Sequence, residues 1–146
     1  MIRRWLELKR KGVRIYGKCN VYRSAKLGWG VQVGCFSEIG DGVEIGDGVR
    51  IGAMCFIPAG VVIEKGAWIG PRVTFTNDRY PPAPREDWEQ TTVEEGTRLG
   101  AGVTVVCGVR IGRDALIGAG SVVTGNVPAG ETWVGVPAKR METGGN

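Results

Sequence analysis

The sequence predicts an all-β fold, a parallel β-helix in which three short strands and three bends make each coil. Three observations carry this expectation. From Ile15 every sixth residue is aliphatic or Phe: Val21, Leu27, Val33, Ile39, Ile45, Ile51, Ile57, Ile63, Ile69 and Phe75. The same phase resumes at Val93, Leu99, Val105, Ile111, Ile117 and Val123. Glycine follows these guide residues at nine of seventeen positions, and a small side chain recurs four residues after them, as in Ser37, Cys55, Ala67, Val103 and Ala115. A helix would repeat about every 3.6 residues and an ordinary strand every second residue. A period of six is instead a two-faced extended segment followed by a bend, and three such units close a triangular coil. Stacked coils bury the aliphatic residues in a continuous column, while glycine at the corners tolerates the change of direction.

Taken in order, residues 1–12 place Trp5, Leu6 and Leu8 among charges and are expected to form a short helical cap, because a solenoid exposes its end coils. Residues 13–128 form the β-helix. Between Phe75 and Val93 the repeat stops, and Pro81, Pro82, Pro84 and their polar neighbours forbid a regular coil, so 76–92 are expected as an external loop. The eighteen residues from Phe75 to Val93 fit either a loop that replaces a whole coil or one that enlarges a single bend. Tyr80 and Trp88 give the loop apolar surface suited to a contact. Residues 129–146 form the tail at the other end.

Composition excludes several function classes. The chain has 146 residues, 42% of them hydrophobic and 23% charged, and this suits one globular domain. Histidine is absent. That removes imidazole as base, nucleophile or metal ligand, and no metal is expected. Cys19, Cys35, Cys55 and Cys107 show no Cys-x-x-Cys spacing and read as free thiols serving as small core residues of a reduced, cytoplasmic protein. A net charge of +4 suits anionic small molecules. Arg3, Arg4, Lys9, Arg10, Lys11 and Arg14 crowd the start, but no nucleic-acid-binding motif accompanies them, so no nucleic-acid partner is expected. The first twelve residues alternate charged and apolar side chains rather than forming a secretory signal. No apolar run approaches the roughly 20 residues that span a bilayer, so no membrane insertion is expected.

The loop carries a more specific signal. Phe75-Thr76-Asn77-Asp78, with Pro81 following, resembles the Phe-Thr-Asn-Asp segment of the nucleotide-linked amino-sugar N-acetyltransferases, which belong to the hexapeptide-repeat acyltransferases. The coils from Leu99 to Gly108 and from Ile117 to Thr124 resemble that family's acyl-CoA-binding coils. Val134-Gly135-Val136-Pro137-Ala138-Lys139-Arg140 is similar to its closing segment. One departure is that Pro82 and Ala83 precede Pro84-Arg85, where the family commonly has Pro-Arg directly. The resemblance implies a left-handed β-helix, a homotrimer with sites between neighbours, and acetyl-CoA as acyl donor. It also implies a nucleotide-sugar substrate, a UDP- or dTDP-linked 3-amino sugar on a route to surface polysaccharide.

An amine acceptor is consistent with a chain lacking histidine. A sugar hydroxyl normally needs a base, whereas a neutral amine already carries its lone pair. The site need only keep the amine neutral, which desolvation favours, and align it with the thioester. On this reading Asn77 orients the amine through its side-chain carbonyl and Asp78 supports it. Glu38 and Arg85 are candidate sugar contacts. Ala101, Gly102, Ala119 and Gly120 offer small side chains along which the pantetheine arm can lie against backbone. Lys139 and Arg140 supply charge for the phosphates of CoA. A sugar O-acetyltransferase with a carboxylate base, and a non-catalytic β-helix scaffold, are the alternatives.

Overall fold

The computed structural model describes residues 2–142. Three parallel sheets form the faces of a prism, each built of strands only two or three residues long. The first sheet stacks Arg14–Ile15, Gln32–Val33, Arg50–Ile51, Trp68–Ile69, Arg98–Leu99, Leu116–Ile117 and Thr132–Val134. The second stacks Asn20–Val21, Glu38–Ile39, Phe56–Ile57, Thr74–Phe75, Thr104–Val105 and Val122–Val123. The third stacks Lys26–Leu27, Glu44–Ile45, Val61–Ile63, Thr91–Val93 and Arg110–Ile111, with Val127 bridged beyond it. This is the parallel β-helix the six-residue period demands.

Within each pair one side chain points out and the guide residue points in. From Leu27 to Val123 every guide is buried, with Phe75, Ile39, Ile57, Ile63, Ile69 and Leu99 among the largest fully enclosed side chains. Each such aliphatic side chain contributes about 1.5–3 kcal/mol by leaving water. Ile15, on the first coil, remains 39% exposed because only one neighbouring coil covers it. Corner glycines answer to backbone proximity. A Cβ on Gly34 would lie 2.5 Å from the Ala53 nitrogen of the next coil. The small residues four positions past the guides include donors that satisfy the next corner. Cys19 Sγ donates to the Gly34 carbonyl at 3.1 Å, Ser37 Oγ to Gly52 at 3.0 Å, and Cys55 Sγ to Gly70 at 3.1 Å. Burial pushes the Cys55 thiol up, which keeps it a protonated donor.

Both ends are closed. Helix α1, Ile2–Arg10, carries Lys9 and Arg10 in its last turn, where cations suit the helix dipole. It stops where the Gly12 N–H donates to the Lys9 carbonyl and the Val13 N–H to the Leu8 carbonyl. Leu8 and Val13 pack on the end of the core, and Arg4 ties the helix to the first coil by donating to the Tyr22 carbonyl at 2.7 Å. At the far end the segment expected as a tail continues the first sheet through Thr132–Val134. The chain then turns back as Lys139–Arg140, antiparallel to that strand. The ladder of the first sheet therefore runs past residue 128. Trp133 packs on the core and donates from Nε1 to Glu131 at 2.7 Å.

The loop enlarges one bend and replaces no coil. Phe75 stands between Ile57 and Val105 on the second sheet, and Val93 pairs with Ile63 and Ile111 on the third. Phe75 and Val93 are eighteen residues apart where Ile57 and Ile63 are six apart, so twelve residues are inserted at this corner.

Candidate active site

The excursion begins at Thr76, at the corner between the second and third sheets. It is held from within by polar contacts in place of a core. Both oxygens of Asp78 accept backbone N–H groups, from Tyr80 at 3.1 Å and Ala83 at 2.7 Å. Arg79 pairs with Glu89 at 2.8 Å and also donates to the carbonyl of Cys107, one coil on. The Glu89 N–H donates to the Asn77 carbonyl at 3.2 Å, drawing the two legs of the loop together. This clamp requires glycine at 108, where φ is +78° and a Cβ would lie 1.9 Å from a Glu89 oxygen.

Folded back in this way, the loop covers the outer surface of the second sheet and leaves a cleft of about 210 Å³. Tyr22, Glu38, Phe56, Asn77, Arg85 and Trp88 line it. Arg85, at the start of the short 3-10 turn Arg85–Asp87, pairs with Asp41 and lies 5.8 Å from the Trp88 ring centre. Asp41 also accepts the Ser24 hydroxyl. The Ser24 hydroxyl and the Arg85 guanidinium hold the Asp41 carboxyl below the usual aspartate range. Two cleft residues differ from these. The Asn77 amide and the Glu38 carboxylate both line the cleft, and neither side chain has a hydrogen-bond or ion-pair partner among the described residues. With the Tyr22 hydroxyl they are the cleft's polar groups free to meet a ligand, while the Trp88 indole N–H is buried without a partner among the described residues.

Three of the four residues expected on the acceptor side, Asn77, Glu38 and Arg85, therefore meet in one cleft. Asp78 does not line it, its carboxylate being committed to the loop's own backbone. Tyr22, Asp41 and Phe56 also line the cleft and were not foreseen, and Trp88, expected only to make some contact, joins them. An outward-facing aromatic at a strand position, as at Phe56, was the one signal available in the sequence. The residues expected along the acyl donor stand elsewhere. Ala101, Gly102, Ala119 and Gly120 are exposed at the corner between the first and second sheets, on successive coils, with the Gly120 N–H donating to the Ala101 carbonyl at 2.8 Å. Lys139 and Arg140 lie exposed on the last strand of the first sheet, Arg140 being 3.6 Å from Glu131. Within one chain the second sheet separates these groups from the loop cleft.

Comparison with known proteins places this geometry in a family. The model of the bacterial transferase hexapeptide (six repeats) matches residues 24–59 and 90–125. Galactoside O-acetyltransferase from Lactococcus lactis is 35% identical over 83 residues, which are 53% of this chain and 40% of that protein. A variant of GDP-perosamine N-acetyltransferase from Caulobacter crescentus, solved with CoA and GDP-perosamine, superposes with a TM-score of 0.76 at 27% identity, covering 97% of this chain and 64% of that one. The acetyltransferase domain of PglB from Neisseria gonorrhoeae, solved with acetyl coenzyme A, shares the fold with a TM-score of 0.79 at 23% identity, covering 96% and 65% of the two chains. The chain thus spans 40% of the curated relative's length and about two thirds of these solved chains. The matched repeats lie on the coils that form the prism, on both sides of the loop, and the chain belongs to the hexapeptide-repeat transferases.

Proposed function

We propose that the protein is an acetyl-CoA-dependent N-acetyltransferase acting on the amino group of a nucleotide-linked amino sugar, a UDP- or dTDP-linked 3-amino sugar for surface polysaccharide. The observation that carries this reading is the pair of unpartnered acceptors, Asn77 and Glu38, in a cleft walled by Tyr22, Phe56 and Trp88. Aromatic and apolar walls suit the faces of a pyranose ring, and two acceptors suit its amine and hydroxyl hydrogens. The solved relative that binds CoA and GDP-perosamine supports the same substrate class.

Asn77 accepts a hydrogen from the neutral amine and aims its lone pair at the thioester carbonyl. The new C–N bond forms, the tetrahedral oxyanion collapses, and the C–S bond breaks. The amine proton passes to the departing thiolate, so no imidazole is required. Alignment of this kind supplies about 7–11 kcal/mol of the barrier reduction. Acetyl-CoA lies along Ala101, Gly102, Ala119 and Gly120, with its phosphates near Lys139 and Arg140. Because those residues stand across the second sheet from the cleft, a neighbouring copy in a homotrimer presents the donor to each loop. Light scattering tests the assembly, and a monomeric mass overturns it.

The activity is tested by incubating the protein with acetyl-CoA and a panel of UDP-, dTDP- and GDP-linked amino sugars while following free thiol release. Release with amines and not with the corresponding hydroxy sugars is expected. Release with hydroxyl acceptors alone makes the protein an O-acetyltransferase. No release, with no acetyl-CoA binding by calorimetry, makes it a scaffold.

A further inference from the structure

A larger cavity than the loop cleft opens at the N-terminal end of the prism. It measures about 820 Å³ and lies between α1 and the first coil. Arg3, Arg4, Lys11, Arg23 and Lys26 line it, with Glu7 as the one carboxylate among the described residues of its wall. Glu7 is taken by Lys11 at 2.9 Å, and Lys26 is paired with Glu44 at 2.7 Å. The three guanidiniums of Arg3, Arg4 and Arg23 have no carboxylate partner among the described residues.

Arg4 makes the site more than a solvated basic end. Its Nη2 donates to the Tyr22 carbonyl at 2.7 Å and the Ala25 carbonyl at 3.3 Å, and this fixes the guanidinium against the coil. Its Nη1 is shut off from solvent and has no hydrogen-bond partner. Because not even water reaches it, Nη1 meets no ligand; the Arg4 guanidinium is a fixed positive charge in the cavity wall, and contact with an anion falls to Arg3 and Arg23. Guanidiniums lining one concave wall suit the oxygens of phosphate, which guanidinium grips in forked pairs.

The cavity and the loop cleft share a wall. Arg23 and Ser24 line the cavity, Tyr22 lines the cleft, and the Ser24 hydroxyl donates to Asp41 beside Arg85. We propose that the cavity under α1 binds the diphosphate of a nucleoside diphosphate, with Arg3 and Arg23 as the phosphate donors and the fixed charge of Arg4 beside them. That this nucleotide is the carrier of the sugar in the neighbouring cleft rests on the proposed function, whereas the phosphate site itself does not.

The full chain is titrated by calorimetry with UDP and with inorganic pyrophosphate, alongside the double variant R3A/R23A, whose two side chains are exposed and whose fold is checked by circular dichroism. Saturable UDP binding that pyrophosphate displaces is expected, weakening about tenfold or more in the variant while acetyl-CoA affinity is unchanged. Raising the salt concentration should weaken it in the same direction. Unchanged UDP affinity in R3A/R23A overturns the proposal. So does sedimentation of the protein with phosphatidylglycerol vesicles in the absence of UDP or pyrophosphate binding, which would make the surface a lipid contact. Loss of UDP binding in R3A/R23A in a protein that acetylates no amino sugar leaves the phosphate site standing and removes the proposed function. Acetylation of a nucleotide sugar with the same KM in both proteins does the reverse.

Discussion

Asn77 and Asp78 are neighbours with opposite employment. Each oxygen of the Asp78 carboxylate accepts an N–H of its own loop, whereas the Asn77 amide lines the cleft unpartnered among the described residues. Asn77→Ala should therefore lower kcat about 10–100-fold, as expected on losing an aligning contact, and leave acetyl-CoA affinity within twofold. Steady-state kinetics and calorimetry check the split, and equal loss of both would remove Asn77 from the acceptor side. Asp41 gives a pH-dependent prediction. Its carboxyl is held below the usual aspartate range by Ser24 and Arg85. A group with a depressed folded-state pKa contributes its stabilisation above the unfolded value and loses it as pH falls through the folded one. The Arg85–Asp41 pair should thus keep the acceptor KM flat from neutral pH down to the acid side of the ordinary aspartate range, and KM should rise below it. Asp41→Asn should raise KM at neutral pH towards the value the parent reaches once Asp41 is protonated, and so flatten that acid limb.

At the scale of elements, the coils were legible and the loop only partly so. Inward guides repeat because each must fill the same prism, so Leu27 through Val123 could be read directly from their spacing. The outward faces obey no such constraint, and for that reason Tyr22 and Phe56 escaped notice. Asp41 and Arg85 lie 44 residues apart, and their meeting depends on how an eighteen-residue coil stacks beneath a folded-back loop. The gap from Phe75 to Val93 equals one full coil, so the period holds its phase whether the segment is a coil or a swollen bend. Only the pairing of Val93 with Ile63, rather than with Phe75, decides between them. Because the insertion leaves that ladder intact, replacing residues 76–90 with a short bend such as Pro58-Ala59-Gly60 should preserve folding. The excised protein should keep its circular dichroism spectrum and its acetyl-CoA affinity, lose acceptor turnover, and melt within a few degrees of the parent. A collapse of Tm would show that the loop holds coils together.

Across the whole molecule, the proposed sites stand at separate edges of one rigid prism. The corner after the second sheet carries the loop cleft, and the corner before it carries the small residues proposed for the acyl donor. The end under α1 carries the cationic cavity. The polar groups of these sites all lie outside the core, and the guide column holds them in register, Leu27 also forming part of the cavity wall. Among the described residues the open end of the first coil is covered by α1, and its strands Arg14–Ile15 and Asn20–Val21 each pair on one side only. An open parallel edge of this kind is a template on which another chain can add. The small helix thus acts as a stopper against runaway growth. Cutting away residues 1–12 should let molecules polymerise end to end into filaments, visible by electron microscopy and quickening with protein concentration, whereas the intact chain stays dispersed.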